Sequence, residues 1–390
     1  MLQNPIHKEN FKITKATYRS ITPFCIPTPF QDASMGPFDK YTIGTLCLED
    51  EHGYQGEVPM FQSVVPLVEK FLFPKLFTSS AINYKDLHFQ LYWAIRNEGF
   101  RGTASNALGQ LDLCLYDLAA KRNHKPLHRY LGAKYDWANV YACGGGTNLS
   151  LEALCEEAER YLSEGYEAFK IKVGKDFGGN IIEDIERTIS VKEIIGTEKK
   201  LAVDANQIWS VAQTLSYLQD VGEELAWMEE PIHSASLEEI RTLCEKTEVP
   251  ISYGESERSG KVFPTLVKYG VKHLQPIVGY LASLDEWFDV AKMAKEHQLF
   301  FSSGGFSQFN CSVVAAAGKD AYTEYLEPLN SSINQYLLYG PKIEDGKFFL
   351  QSEAGITAKI NWEKVKMDGE LEQEKSWTAD DFVNVGAMVN

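Results

Sequence analysis

The sequence predicts an α/β protein whose larger part is a TIM-type β/α barrel, preceded by a smaller α+β domain. Eight short apolar runs, separated by helical segments, follow residue 136: NVYAC, AFKIKV, LAVDA, LAWME, VPISYG, HLQPIV, LFFSS and EYLE. The last notable residues of these runs lie 22 to 32 residues apart: Cys143, Lys172, Asp204, Glu229, Glu255, Ile277, Ser303 and Glu327. Such a steady period is typical of parallel strands with crossover helices, and eight units close into a barrel. A doubly wound sheet is the alternative, but it usually has a glycine-rich phosphate loop at its first turn.

The N-terminal part begins with two predicted strands, Phe11–Ile21 and Tyr41–Leu48. The segment between them is rich in proline and glycine and is predicted as a loop. A long helix follows in SNALGQLDLCLYDLAAK, where leucines recur at helical spacing. Composition changes near Gly132–Trp137, so we place the domain boundaries at 1–135, 136–350 and 351–390.

Composition restricts the class of partner. The formal net charge of -16 disfavours nucleic acid, because an acidic surface repels phosphate. No apolar run approaches membrane-spanning length, and the polar N-terminus does not resemble a signal peptide, so no membrane partner is expected. The seven cysteines form no CxxC pair, which favours a reducing cytoplasm over a disulfide framework. We also expect a homo-oligomer.

Charged residues end several of the predicted barrel strands. Lys170 and Lys172 share one side of the second strand, because residues two apart face the same way. Asp204, Glu229 and Glu255 end the next three strands, and strand ends converge at one mouth of a barrel. Three carboxylates close together require a hard divalent cation. Mg²⁺ is favoured over zinc because no histidine or cysteine lies at these three strand ends.

The ordered motifs AFKIKVG, VDANQ, MEEP and YGES resemble those of the enolase superfamily, in its mandelate racemase and muconate lactonizing enzyme branch. The resemblance implies an N-terminal capping domain, to which residues 351–390 return. It implies that Asp204, Glu229 and Glu255 bind Mg²⁺, and that Lys172 is the base, with Lys170 beside it. Such enzymes remove the proton next to a substrate carboxylate through an enediolate. The resemblance also implies substrate contacts at Asn206 and at Glu327, as the acid of the eighth strand, and closure of the mouth by two loops, Pro23–Pro37 and Glu51–Pro59.

The sequence departs from the family pattern on the sixth and seventh strands. Ile277 and Gly304 occupy the positions where relatives carry a second acid or base. We therefore expect a one-base lyase or dehydratase of an acid sugar or a related acid. A racemase, epimerase or cycloisomerase of a carboxylate stays open, and so does a metal-binding barrel without activity.

Weaker candidates for substrate contact are Ser303, Cys143 and His233. Two of them have an ordinary structural explanation: Cys143 as a buried small hydrophobe and His233 as a solvated loop residue. Tyr253 shares the strand face of Glu255, but core packing is its expected role. Ser303, His233 or Tyr253 could supply a second proton.

Overall fold

The computed structural model describes residues 4–222 and 225–382. Its strands are β1 Asn10–Phe11, β2 Ile13–Ile21, β3 Phe24–Phe30, β4 Phe38–Tyr41, β5 Gly44–Asp50, β6 Gln55–Pro59, β7 Ile82–Asn83, β8 Trp137–Gly144, β9 Ala168–Lys172, β10 Lys200–Asp204, β11 Trp227–Glu229, β12 Ile251–Tyr253, β13 His273–Leu274, β14 Phe300–Ser303, β15 Ala321–Leu326, β16 Lys342–Glu344, β17 Lys347–Phe349 and β18 Leu371–Thr378. Its helices are α1 Val65–Leu67, α2 Phe73–Leu76, α3 Tyr84–Ala94, α4 Thr103–Arg122, α5 Leu127–Tyr130, α6 Leu151–Ser163, α7 Lys175–Gly178, α8 Ile181–Ile195, α9 Val211–Val221, α10 Leu237–Cys244, α11 Phe263–Lys268, α12 Leu284–Glu296, α13 Ser307–Ala317, α14 Glu327–Ile333 and α15 Trp362–Met367.

The predicted barrel is confirmed. Strands β8 to β15 pair in chain order, all in parallel, and β15 returns to pair with β8. The helices between successive strands carry apolar residues at helical spacing. In α6, for example, Leu154, Ala158 and Tyr161 are buried, and the Ser150 side chain caps the helix by accepting a hydrogen bond from Ala153 N–H. Inside the described ranges, the helices lack the length and apolar character that a membrane crossing needs.

The N-terminal α+β domain is also confirmed. Its sheet has the order β18-β2-β5-β6, so the C-terminal strand β18 pairs with β2 beside the N-terminal strands. Helix α4 packs directly on β6. At Gly56 a Cβ would lie 2.4 Å from the carbonyl oxygen of Cys114, so only glycine permits this approach. Part of the predicted segment 351–390 lies outside the described residues.

One predicted loop is a hairpin. The segment after β2 forms β3 and β4, which pair in antiparallel fashion. Proline suggested a loop because it cannot donate to a sheet, but Pro27 and Pro29 are tolerated here because this two-stranded sheet has only edge strands.

Candidate metal and active site at the barrel mouth

The register of three neighbouring strands brings the charged residues together. Asp204 is paired with Lys172 on one side and with Glu229 on the other. All three side chains are buried, as is that of Lys170, two residues before Lys172. Because the strands are parallel and aligned, their carboxyl ends place these groups at one height inside the barrel.

Asp204, Glu229 and Glu255 form a candidate metal site. Each offers a carboxylate oxygen, and the three oxygens lie within 4.8 Å of one another. Oxygen ligands of this kind suit a hard divalent cation. Asn206 also supports a ligand at this site, because its Oδ1 is buried and has no hydrogen-bond partner among the described residues. Asn206 donates to Asp204 through its backbone N–H, at 2.9 Å, and through Nδ2, at 3.3 Å.

The three carboxylates of the candidate metal site require a nearby cation if all of them are to be ionised at once. Burial raises the pKa of Glu255 to about 8, and the nearby charges of Glu230 and Asp204 act in the same direction. Burial also raises the pKa of Glu229 well above its usual range, although Lys170 opposes the shift. Two of the three acids therefore hold a proton more tightly than usual without a metal, and a bound cation would relieve this cost.

The two lysines contact different acids. Lys172 Nζ lies 2.5 Å from Asp204 Oδ2. Lys170 Nζ lies 2.6 Å from Glu229 Oε1, 3.0 Å from Glu324 Oε1 and 3.6 Å from Asp204 Oδ2. Burial alone would lower the pKa of Lys172, but the adjacent Asp204 outweighs burial and holds the pKa above its usual value. Lys170 is thus enclosed by carboxylates, whereas Lys172 depends mainly on Asp204 for its proton.

A second group of polar side chains lies next to the candidate metal-binding residues: Gln207, Glu230 and Ser256. The sequence did not predict this group. Glu230 Oε2 accepts hydrogen bonds from Gln207 Nε2 at 2.8 Å and from Ser256 Oγ at 2.9 Å. Asn206, Gln207 and Glu230 all have φ values in the left-handed region, at 41°, 70° and 35°. Such strain is usual at functional sites. In the sequence, the only indication of this polar group was the pair of adjacent carboxylates in the MEEP motif.

The acid of the eighth strand is Glu324 rather than Glu327. The strand ends at Leu326, and Glu327 begins helix α14, where it accepts a hydrogen bond from Arg160 at 3.1 Å. Glu324 points into the barrel and contacts Lys170. The strand was predicted to end at Glu327, one residue beyond its end at Leu326. Because inward and outward positions alternate along a strand, positions three residues apart, such as 324 and 327, lie on opposite faces.

The segments that follow the sixth and seventh strands contribute uncharged groups. Ile277 is buried, and Gln275, which the sequence analysis did not single out, donates to Glu324 Oε2 at 2.8 Å. Gly304 leaves room for Glu324, since a Cβ there would lie 2.6 Å from Glu324 Oε2. The carboxylate of Glu324 therefore occupies space that a seventh-strand side chain would fill.

Four minor candidates have ordinary contacts. Ser303 Oγ accepts a hydrogen bond from the backbone of Val278 at 3.0 Å. Cys143 is buried beside Glu324, and burial raises its thiol pKa. His233 is exposed and accepts from Ala235 N–H. Tyr253 is buried, and its hydroxyl donates to the carbonyl oxygen of Ile232 at 2.8 Å.

The first of the two loops predicted to cover the mouth contacts a barrel loop. Thr147 N–H donates to Gln31 O at 2.8 Å, and Thr147 Oγ1 donates to Asp32 O at 2.7 Å. The second, Glu51–Pro59, contacts other parts of its own domain, for example where Tyr54 packs on His124. Phe61, just beyond this second loop, packs on Phe306 of the barrel.

Comparisons with known proteins match this architecture. The family described as Enolase C-terminal domain-like matches residues 153–365. The chain is 27% identical over 316 residues to arabinonate dehydratase from Saccharolobus solfataricus, covering 79% of this chain and 82% of the relative. It is 26% identical over 295 residues to L-talarate/galactarate dehydratase from Salmonella typhimurium, covering 75% of this chain and 70% of the relative. The structure of that dehydratase with Mg and L-lyxarohydroxamate superposes with a TM-score of 0.83 at 21% identity, covering 95% of each chain. A racemase from Streptomyces coelicolor with bound magnesium gives a TM-score of 0.83 at 23% identity, covering 92% of this chain and 99% of the racemase.

Proposed function

The chain belongs to the enolase C-terminal domain-like family, and we propose that it is a Mg²⁺-dependent lyase that removes the proton next to the carboxylate of a small acid. Similarity to arabinonate dehydratase and to L-talarate/galactarate dehydratase supports an acid sugar, or a related hydroxy acid, as the substrate class. Asp204, Glu229 and Glu255 would hold Mg²⁺. When bound, Mg²⁺ would supply positive charge where negative charge develops on the substrate carboxylate.

Lys172 is proposed as the base. Its Nζ lies beside Asp204 and is not itself a ligand type for Mg²⁺. With the charge of Asp204 shared with a cation, Lys172 would hold its own proton less tightly. It could then accept the substrate α-proton: the C–H bond breaks, an N–H bond forms on Nζ, and the electron pair moves toward the carboxylate.

Lys172 could also complete the elimination. The protonated Nζ can give its proton to a hydroxyl on the β-carbon as that C–O bond breaks, so that one water molecule leaves. Lys170 stays charged between Glu229 and Glu324, which suits a role in holding negative charge. Glu324 takes the substrate-contact role that the sequence analysis gave to Glu327.

The observation that carries this proposal is the one-sided distribution of proton carriers. Both lysines lie on the second strand, whereas Ile277 and Gly304, just beyond the sixth and seventh strands, carry no titratable group. His273 begins the sixth strand, where burial lowers its pKa to about 3, so its ring stays neutral. Racemisation needs a proton carrier on each face of the intermediate, but elimination from one face needs only Lys172.

Nuclear magnetic resonance in heavy water tests the proposal. The protein is incubated with Mg²⁺ and a panel of hydroxy acids, including arabinonate and galactarate. Loss of water from one of them supports the lyase. Inversion at the α-carbon with uptake of one deuterium and no elimination identifies a racemase or epimerase. Absence of exchange with every acid, in protein shown to bind Mg²⁺, would support a barrel without activity.

A further inference from the structure

Two charged residues of helix α8 are buried and take no part in the mechanism proposed above. Asp184 and Arg187 lie three positions apart, so they share one side of the helix, and both are 0% exposed. A buried charged group is costly unless hydrogen bonds replace the water that it has lost. The hydrogen-bond partners of these two side chains therefore show which part of the molecule the pair restrains.

Arg187 holds the loop that follows the first barrel strand. Its Nη1 donates to Leu149 O at 2.8 Å, and its Nη2 donates to Gly145 O at 3.0 Å and to Gly146 O at 2.9 Å. The Gly145 N–H is also held, since it donates to Glu157 Oε2 at 2.7 Å. One planar guanidinium thus fixes three carbonyl groups of a single loop.

This loop in turn holds the backbone of Lys172. Gly145 O also accepts the Lys172 N–H at 3.3 Å, which continues the pairing of β8 with β9 beyond the last residue of β8. The fit is close, because Gly145 has a φ of 60° and a Cβ there would lie 2.6 Å from Ile171 Cβ. One carbonyl oxygen therefore joins Arg187 to the residue proposed as the base.

Asp184 holds the chain just after Lys172. Its Oδ2 accepts hydrogen bonds from Gly174 N–H at 2.9 Å and from Lys175 N–H at 3.2 Å. Gly174 has a φ of 89°, a conformation that glycine adopts readily. Arg187 and Asp184 thus restrain the Lys172 backbone from two directions, the first through the neighbouring strand and the second through the chain that leaves β9.

We infer that Arg187 and Asp184 are positioning residues for Lys172. The inference rests on the proposed function, in which Lys172 Nζ takes a proton from the substrate α-carbon. The two residues act through the backbone from which the lysine side chain extends. A displacement of about 1 Å in an active site can lower the rate by about 100-fold, so this restraint supports proton transfer without contact to the substrate. A pair that only stabilised the fold would leave the rate of the folded protein unchanged.

Four variants, each examined as folded protein loaded with Mg²⁺, test the inference. Arg187→Met removes the donors, Arg187→Lys keeps the charge with fewer donors, and Asp184→Asn keeps one acceptor oxygen. Asp112→Asn is the matched control. Asp112 is also 0% exposed, it accepts the backbone N–H of Leu284 at 2.9 Å, and burial raises the pKa of both aspartates to about 6.

The first measurement is residue-resolved exchange of backbone amide protons, which needs no substrate. The Lys172 rate is divided by that of Met228, whose N–H donates to Pro250 O between two other strands, so a loss of global stability cancels. We expect this ratio to rise by about 10-fold in Arg187→Met, as loss of a hydrogen bond to a charged group predicts. It should rise less in Arg187→Lys and Asp184→Asn, and stay at the wild-type value in Asp112→Asn.

The second measurement is turnover of any acid from which the wild-type protein removes the α-proton. In Arg187→Met, kcat should fall by about 10–100-fold, while KM and Mg²⁺ affinity stay near wild type. Asp112→Asn should keep the wild-type kcat. If Arg187→Met does not fold, Arg187→Lys and Asp184→Asn decide by the same two measurements.

Three results would overturn the inference: an unchanged Lys172 ratio in the variants at positions 184 and 187, a wild-type kcat in a variant whose ratio has risen, or equal changes in Asp112→Asn. Failure of the proposed function has a different signature. The wild-type protein would then remove no α-proton from any acid, while the exchange ratio would still report whether Arg187 and Asp184 restrain Lys172.

Discussion

The two sides of the barrel mouth differ in chemistry. On the side of β9 to β11, Lys170, Lys172, Asp204 and Glu229 form one buried network of ion pairs. On the side of β13 and β14, the strand ends are uncharged. Gln275, just after β13, donates a hydrogen bond to the Glu324 carboxylate. Both sides have the same parallel backbone, so the difference lies in a few side chains.

This asymmetry indicates where protons can move. A charged network at one edge of a closed site can remove a proton and return it to the same face. On the uncharged edge, Ile277 and Gly304 carry no group that can take up a proton. Removing a group from one side at a time should therefore affect proton removal and site geometry differently.

Lys172→Ala should have the largest effect. Removal of a general base typically lowers the rate by about 10²–10⁴-fold. Mg²⁺ affinity should stay nearly unchanged, because Lys172 contacts a ligand residue without being one. Deuterium exchange at the substrate α-carbon measures the first effect and calorimetry the second. Lys199→Ala, which removes a surface ion pair with Glu167, is the control. Exchange at the wild-type rate in Lys172→Ala would show that another group is the base.

Glu255→Gln should weaken Mg²⁺ binding. Loss of a group that only supports a metal ligand already costs about 10–100-fold in affinity, so loss of a direct ligand should cost at least as much. Glu257→Gln is the matched control, because this neighbour is not part of the triad. Equal losses of affinity in the two variants would mean that overall charge, rather than coordination by Glu255, sets the affinity.

Gly304→Ala tests the uncharged side. The new methyl group would meet the Glu324 carboxylate at 2.6 Å and push it away from Lys170. Small displacements in an active site can cost up to about 100-fold in rate, and we expect about 10-fold. Gly340→Ala, where a Cβ meets nothing within 4 Å, should leave exchange unchanged. Wild-type exchange in Gly304→Ala would mean that the position of Glu324 does not matter for the reaction.

The stability of the metal-free protein should fall as pH rises. The pKa of Glu255 is raised in the folded state from an ordinary value of 4.5 to about 8, so the folded state binds more protons than the unfolded state between these values. The window for the measurement is pH 6.5 to 8, because His273, whose pKa is lowered from 6.5 to about 3 in the folded state, gives an opposite gain of stability that is complete near pH 6.5. Glu230, with a pKa raised to about 7, adds a loss of the same sign as Glu255. Tm should drop by at least about 2 °C across this window, and less in Glu255→Gln. A rising Tm would contradict the assignment.

Much of this site could be predicted from the sequence. The strand period identified the barrel, and motif order identified Asp204, Glu229 and Glu255 as neighbours, because parallel strand ends must converge. The resemblance to the enolase superfamily is confirmed. The interior position of Glu324 could not be predicted, because it depends on where β15 ends and on the space left by Gly304.

Glu327→Gln should have the smallest effect, and its contrast with Glu324→Gln tests which of the two is the eighth-strand acid of the site. Glu327 pairs with Arg160 outside the barrel, where side chains are partly exposed, and such pairs contribute about 0–1 kcal/mol. Exchange rate and Mg²⁺ affinity should therefore match wild type. Glu324→Gln keeps the shape but removes a buried charge that Lys170 contacts at 3.0 Å, so both stability and exchange should fall. Thermal unfolding and proton exchange of the two variants, measured side by side, decide between them. A larger loss in Glu327→Gln would return the eighth-strand role to Glu327 and would mean that the wrong face of the strand had been assigned to the site.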